Sequence, residues 1–147
     1  MEKLVLKLAP AIAVLALAAC ATMQDAMPDW MPGSGAVSVT LSGSEEVPPV
    51  STLGSGSGSF RVRDDGAISG SVTTGGVFGT MAHIHQGAKG QNGPVIVPLT
   101  KTGDTYTVPE GRKLTDAQLR AFKAGNLYVN VHSDRYKGGE LRAQLQP

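Results

Sequence analysis

The heptapeptide Met81-Ala82-His83-Ile84-His85-Gln86-Gly87 holds two of the three histidines in the chain. Successive side chains of a β-strand point to opposite faces of the sheet, so His83 and His85 share one face and Ile84 takes the other. The pattern therefore predicts a strand that turns one side toward an apolar core and presents two imidazoles on the opposite side.

The third histidine ends the run Leu127-Tyr128-Val129-Asn130-Val131-His132. The same alternation directs the leucine and the two valines toward a core, whereas Asn130 and His132 face away from it. All three imidazoles are thus expected on outer sheet faces, opposite the apolar ones. If the two strands lie close in space, the three rings converge on one metal ion, and this is the central hypothesis drawn from the sequence.

The composition favours short strands and turns and excludes several classes of function. The chain has 147 residues, enough for one domain, with 19 glycines, 9 prolines and 5% aromatic residues. The formal net charge is +1, and no basic cluster is present, so nucleic-acid binding is not predicted. The sequence also has no nucleophile elbow for a serine or cysteine, and no phosphate-binding glycine loop between a strand and a helix.

Residues 1–19 are typical of an export signal peptide. Two lysines precede an apolar segment, residues 8–19, that is too short to span a bilayer as a permanent helix. The string Leu17-Ala18-Ala19-Cys20 resembles the lipobox of bacterial lipoproteins, in which the cysteine is lipidated after cleavage; an ordinary signal peptide and an uncleaved anchor are the alternatives. Attachment to a membrane through a lipid on Cys20 is therefore expected. Alanine rather than aspartate at position 21 favours the periplasmic face of the outer membrane if the host is Gram-negative.

Residues 20–35 are predicted to form a lipid-anchored, flexible tether. Their apolar residues follow no helical or strand period, and two prolines and two glycines disfavour a helix. A spacer that lifts the domain off the membrane is one interpretation. The alternative is that Met23, Met27 and Met31 offer soft ligands to Cu(I).

Residues 36–147 carry the pattern of an all-β domain. One helix is expected over residues 114–123, with Thr115 and Gln118 forming a capping box and Gly125 ending the helix. The glycine- and serine-rich residues 54–58 are interpreted as the entry to a strand. Strands are expected over residues 36–41, 59–63, 67–72, 79–86, 94–99, 105–108, 127–132 and 140–145. About eight short strands with one helical crossover predict an antiparallel Greek-key β-sandwich of the immunoglobulin-like or superoxide-dismutase-like kind.

Four motifs in this order resemble the CHRD domain, a family named for chordin that is common in bacterial secreted proteins. They are 83–87 (His-Ile-His-Gln-Gly), 93–99 (beginning Gly-Pro-Val), 125–133 (Gly-Asn-Leu-Tyr-Val-Asn-Val-His-Ser) and 139–145 (Gly-Glu-Leu-Arg-Ala-Gln-Leu). The resemblance covers about Val37 to Leu145 and implies a β-sandwich. It implies little about activity.

A more distant likeness is to copper–zinc superoxide dismutases. That family carries a His-x-His pair on one strand, a later copper-ligand histidine and an anion-guiding arginine near the C-terminus, and His83, His85, His132 and Arg142 occur here in the same order. The metal-bridging histidine, the zinc loop and the disulfide of that family have no counterpart. The likeness therefore implies a copper-only site and excludes a zinc site of that type.

The residues around the histidines have alternative interpretations. Imidazole suits copper, zinc and nickel, and affinity generally favours Cu(II). Met81 shares the face of His83 and His85, as a long axial ligand or as packing. Asn130 orients a ligating imidazole from outside the ligand set, or bonds a loop backbone. Arg142 guides an anion, or pairs with a carboxylate such as Glu140.

Three functions follow from these residues. The first is a lipid-anchored copper-binding protein of the cell envelope that captures or buffers the metal. The second is a copper-only, superoxide dismutase-like enzyme in which Arg142 is the one candidate catalytic residue beyond the ligands. The third is a metal-free interaction or adhesion module, for which the sequence names no protein partner.

Overall fold

The computed structural model describes residues 36–147. The signal peptide over residues 1–19, the lipid-anchor cysteine Cys20 and the tether over residues 20–35 lie outside the described residues, so these remain predictions. Among residues 36–147, no helix has the length and apolar character needed to cross a membrane.

Two antiparallel sheets pack against each other around a shared core, which confirms the predicted all-β sandwich. The strands are β1 (Val37–Leu41), β2 (Ser55–Val62), β3 (Ile68–Gly75), β4 (Gly79–Gln86), β5 (Val95–Pro98), β6 (Thr100–Thr102), β7 (Thr105–Thr107), β8 (Leu127–Ser133) and β9 (Leu141–Leu145). One sheet has the strand order β1-β2-β3-β7-β6 and the other has the order β5-β4-β8-β9. The neighbours β4 and β8 are the two strands that carry the histidines.

The core is built from the alternate residues that the strand pattern predicts. Ile84 on β4 and Val129 on β8 are fully buried, and they are register partners in the antiparallel pair. Leu141 and Leu145 extend the same apolar layer onto β9. Burial of side chains of this size stabilises the fold by about 1.5–3 kcal/mol each, and it fixes the register, since a slip of one residue would turn the apolar set outward.

The predicted helix is present as α1 (Asp116–Lys123) in the crossover between β7 and β8. Thr115 accepts a hydrogen bond from the backbone N–H of Gln118, and the Gln118 side chain accepts one from the backbone N–H of Thr115, so the capping box is formed. Gly125 follows the helix with a φ of 71°, a left-handed conformation that glycine adopts without strain. Phe122 anchors the apolar side of the helix in the core.

The start of β2 and the presence of β6 were not expected from the sequence. Residues 55–58 lie within β2 rather than before it, because β2 runs from Ser55 to Val62. The glycines are needed there: a Cβ on Gly58 would collide with the backbone of Ser71 and Val72 on β3. The short strand β6 was not predicted from the sequence, since its three residues are all exposed and carry no apolar alternation.

The outer face of the β5-β4-β8-β9 sheet is covered by loops, which the sequence did not reveal. Every residue of β8 is buried, including those that point away from the core. Three segments form the cover, namely residues 43–50, 87–94 and 134–140, and we call them the cover loops. The amide of Asn92 donates to the carbonyl of Val47 at 2.8 Å and so ties two of them together. Of the three imidazoles on this outer face, those of His85 and His132 are therefore buried, and that of His83 is half-buried.

Candidate metal centre

The three histidines converge on the outer face of the β4–β8 pair. In the register of the two strands, His83 lies opposite Asn130, and His85 lies opposite Tyr128. His132 is two residues from Asn130 along β8, so the three imidazoles surround the Asn130 position. One nitrogen from each ring lies within 4.8 Å of the others. The predicted convergence of the three rings is thus present.

His85 is held with one nitrogen free. Its Nδ1 lies 2.9 Å from the carbonyl oxygen of Gly93, which can only accept, so Nδ1 carries the proton and donates. The Nε2 atom is then left with a lone pair. That atom is buried and has no hydrogen-bond partner within residues 36–147. A buried, unpartnered lone pair is costly in a metal-free protein and is what a metal ligand requires.

His132 is oriented in the same manner from the other side. Its Nδ1 donates to the carbonyl oxygen of Lys137 at 2.9 Å, which leaves Nε2 as an acceptor. That Nε2 lies 3.1 Å from Nδ1 of His83. The two nitrogens hold one proton between them in the metal-free state, and a metal ion would take its place.

The three imidazole nitrogens are close enough to bind one transition-metal ion if the more distant ones move slightly nearer to each other. Metal–imidazole bonds of 2.0–2.1 Å in a tetrahedron place ligand nitrogens about 3.3 Å apart. The His83–His132 pair already has this spacing, and the remaining nitrogens lie within 4.8 Å. Three imidazoles leave a fourth coordination position open.

Burial lowers the pKa of two of the three rings. For His83 the main cause is desolvation, and the neighbouring His132 and His85 add repulsion. For His85 desolvation is again the largest cause, opposed by the hydrogen bond to Gly93. Lowered pKa values keep both imidazoles neutral at pH 7, and neutral imidazole is the form that binds metal.

The side chains of Tyr128 and Arg142 stack in turn on the ring of His85. The ring of Tyr128 lies parallel to that of His85, with a centroid distance of 4.8 Å and an interplanar angle of 7°. The guanidinium of Arg142 lies 3.5 Å from the centroid of the Tyr128 ring. The hydroxyl of Tyr128 accepts a hydrogen bond from the N–H of Gly93, whose carbonyl holds His85. Sequence reasoning gave Tyr128 no role, although its alternation with Asn130 and His132 places it on their face.

Arg142 has partners other than those expected from the sequence. It is 1% exposed, and it donates to the carbonyls of Gln91 and Ala88 and to the side-chain oxygen of Asn92. The predicted pairing with Glu140 is not what the structure shows, because Glu140 accepts a hydrogen bond from Thr52. Arg142 therefore fastens a cover loop to the sheet.

Met81 lies next to the centre but is half-exposed. It is the register partner of His132, and 50% of its surface is accessible. It sits on the same face as His83 and His85, as the alternation predicts.

Asn130 lies beneath the three rings and faces two ways. Its amide nitrogen lies 3.5 Å from the carbonyl of Gly138 and lowers the pKa of Glu46 by hydrogen bonding to that carboxyl. Its Oδ1 is buried, has no partner among the described residues, and raises the pKa of His85 because it can accept a proton from the imidazolium. When His85 is neutral with its proton on Nδ1, both Asn130 Oδ1 and His85 Nε2 are acceptors, so they cannot bond to each other.

Glu46 is a buried carboxyl that the sequence analysis missed. It is 4% exposed, and burial raises its pKa to about 7, opposed mainly by the charge of Arg142. One of its oxygens, Oε1, has no partner within the described part of the chain, and the residue lines a cavity of about 250 Å³ under the cover loops. No local sequence pattern distinguishes Glu46 from its neighbour Glu45, which is paired with Lys89 at the surface.

Comparison with known proteins gives one match. The family model of the CHRD domain matches residues 37–145. No curated protein and no solved structure matches the chain.

Proposed function

The chain belongs to the CHRD domain family, and we propose that it binds copper through His83, His85 and His132, to capture or buffer the metal outside the cytoplasm. Copper is the preferred ion because affinity of imidazole sites rises to Cu(II) along the first-row metals. Zinc is the next candidate, since it accepts three imidazoles equally well.

One observation carries the proposal. Two backbone carbonyls, those of Gly93 and Lys137, fix His85 and His132 in the tautomer that turns Nε2 toward the shared centre. Backbone carbonyls that hold the second nitrogen of an imidazole are typical of metal-binding histidines. For histidines that merely cover a sheet, there is no reason for one nitrogen of each ring to meet within 4.8 Å of the others.

The location of the protein follows from the N-terminal residues. We propose attachment through a lipid on Cys20, with residues 20–35 as the tether and the outer membrane as the site in a Gram-negative host. A metal-binding domain held there meets copper before the ion reaches the inner membrane. Cys20→Ser should abolish labelling with palmitate and partitioning into detergent, and a variant that keeps both would contradict the anchor.

The dismutase alternative is less well supported by the geometry. A dismutase needs an accessible positive group that attracts the anion and raises its association rate. Arg142 is buried and its hydrogen bonds go to a cover loop. We expect dismutation by the copper-loaded protein to be well below the diffusional limit of roughly 10⁹ M⁻¹s⁻¹. A rate near that limit that falls with added salt would favour the enzyme instead.

Copper titration of alanine variants tests the proposal. His83→Ala, His85→Ala and His132→Ala should each weaken Cu(II) binding by at least about tenfold, or about 1.4 kcal/mol, because each removes a ligand. Lys137→Ala is the matched control: it removes an exposed side chain but keeps the carbonyl that holds His132, so binding should not change.

The same titration separates the remaining alternative. Purified protein that carries no transition metal, and takes up neither copper nor zinc, would leave only the metal-free interaction module. Unchanged curves in all three histidine variants would show that bound copper sits elsewhere.

A further inference from the structure

The metal centre has a buried cation beside it that opposes metal binding. The guanidinium of Arg142 lies 3.5 Å from the centroid of the Tyr128 ring, whose other face stacks on His85 at 4.8 Å. Its fixed charge therefore repels a positive ion bound at the His85 ring. Arg142 is 1% exposed, so water screens its charge only weakly. A site that takes up a positive ion beside a fixed positive side chain requires a compensating negative group.

Glu46 is placed to compensate that charge. It is buried, both its Oε1 and the amide nitrogen of Asn130 lie against Gly139, and Asn130 is the register partner of His83 on the face that carries the imidazoles. The other buried carboxylate, Glu140, accepts a hydrogen bond from Thr52. Among the described acidic residues, Glu46 is therefore the one that shares the Asn130 side chain with the metal centre.

The amide of Asn130 is oriented by the same carboxylate. The amide nitrogen of Asn130 is directed toward Glu46 and the carbonyl of Gly138. The amide oxygen, Oδ1, therefore points the other way, and no donor among residues 36–147 bonds to it. Three acceptors on these side chains, Glu46 Oε1, Asn130 Oδ1 and His85 Nε2, are buried without a hydrogen-bond partner among the described residues. Such a set is unfavourable when empty and attracts a cation.

Gly139 allows this contact to exist. Its φ is 133°, and a Cβ at this position would collide with Glu46 Oε1 and lie 2.7 Å from Asn130 Nδ2. The carboxylate and the amide are therefore packed directly on the backbone of a cover loop. This packing holds the charge of Glu46 at a fixed place behind the centre.

We propose that Glu46, acting through Asn130, sets the charge preference of the centre and makes it selective for a divalent over a monovalent metal ion. The inference rests on the proposed metal binding by the three histidines. Coulomb energy is proportional to the charge of the ion, so a fixed carboxylate stabilises Cu(II) twice as strongly as Cu(I) in units of free energy. Glu46 is a positioning and charge-compensating residue, and it does not itself bind the metal.

The test compares Glu46→Gln with the wild-type protein at pH 8, where the carboxyl is ionised. Removal of such a supporting group typically weakens metal binding by about tenfold or more. We expect about tenfold weaker Cu(II) binding in Glu46→Gln. The effect on the binding free energy of Cu(I) should be half as large, because Cu(I) carries half the charge, so Cu(I) binding should be about threefold weaker. The reduction potential of the bound copper should then rise by about 30 mV, at about 59 mV per tenfold difference for one electron.

Two further variants distinguish charge compensation from simple packing. Glu45→Gln removes the same charge from the adjacent, surface-paired residue and should leave the potential unchanged. Glu46→Asp keeps the charge and should retain most of the wild-type preference. Equal weakening of Cu(II) and Cu(I) in Glu46→Gln, or no weakening, would overturn this inference while leaving the histidine site intact. A wild-type protein that binds no copper would overturn the proposed function, and the inference with it.

Discussion

Glu46→Gln should stabilise the metal-free protein, and the gain should depend on pH. The pKa of Glu46 rises from 4.5 to about 7 on folding, chiefly through burial. A carboxyl with a raised pKa in the folded state contributes stability that is complete below pH 4.5 and is lost as the pH rises through about 7. Each pKa unit corresponds to about 1.4 kcal/mol, so about 3 kcal/mol is lost between pH 4.5 and pH 8.

The glutamine variant has no such titration, because its amide is neutral at every pH and has nearly the shape of the protonated acid. The two proteins should therefore be about equally stable at pH 4.5, and the variant should be more stable by about 3 kcal/mol at pH 8. Urea unfolding in the presence of a chelator measures the difference directly. Glu45→Gln, at the surface, should change stability by less than about 0.5 kcal/mol at either pH. A difference between Glu46→Gln and wild type that stays constant across this range would refute the reasoning.

Three other predictions concern the same region. Gly139→Ala should destabilise the fold by more than about 2 kcal/mol, because the new Cβ meets Glu46 and Asn130 at a φ of 133°. Gly138→Ala is the control: no atom lies within 4 Å of its Cβ, so it should be nearly neutral in urea unfolding. Equal effects of the two substitutions would argue against the packing. Arg142→Ala should lower the unfolding free energy by about 3 kcal/mol, because the oxygens that accept from the guanidinium lose their donor. Arg142→Lys should recover less than half of this loss, since one ammonium group cannot reproduce the forked set of guanidinium donors. A loss below about 1 kcal/mol in Arg142→Ala would contradict the structural role. Release of Cu(II) on acidification should be steepest below pH 6.5, because the pKa values of His83 and His85 are lowered from that value. Chelator competition across pH 4–8 measures the release. Complete release by pH 6.5 would disprove the expectation.

Local patterns were sufficient for every strand except β6 and the first residues of β2, and for the side of the sheet on which each histidine lies. The strand over residues 79–86 was predicted with the bounds that the structure shows, because Ala82 and Ile84 alternate with the histidines along it. The capping box of α1 was also predicted, since its two residues lie three positions apart. Both features depend on neighbouring residues, and the sequence displays these directly.

The resemblance to the CHRD domain also came from the sequence, through motifs that lie in order along the chain, and the family match over residues 37–145 confirms it. Motif order does not give contacts, however. Side-chain alternation gave Glu140 as one alternative partner for Arg142, whereas in the structure Arg142 donates to the loop over residues 87–94. Glu140 precedes β9 and accepts from Thr52, so each of the two residues is bonded to a segment far away in the chain.

Side-chain alternation in a strand is a local property with a period of two, so it was enough to predict an all-β sandwich with three imidazoles turned away from its core. The folded domain was needed to show that His83 meets His132, 49 residues away, that the cover loops bury His85 and His132, and that Glu46 and Asn130 pack together next to the centre. Those contacts depend on strand order and on loop paths over the sheet, which are set by the packing of the whole domain. The chemistry of the site, in its fixed tautomers, lowered pKa values and buried carboxylate, follows from that packing.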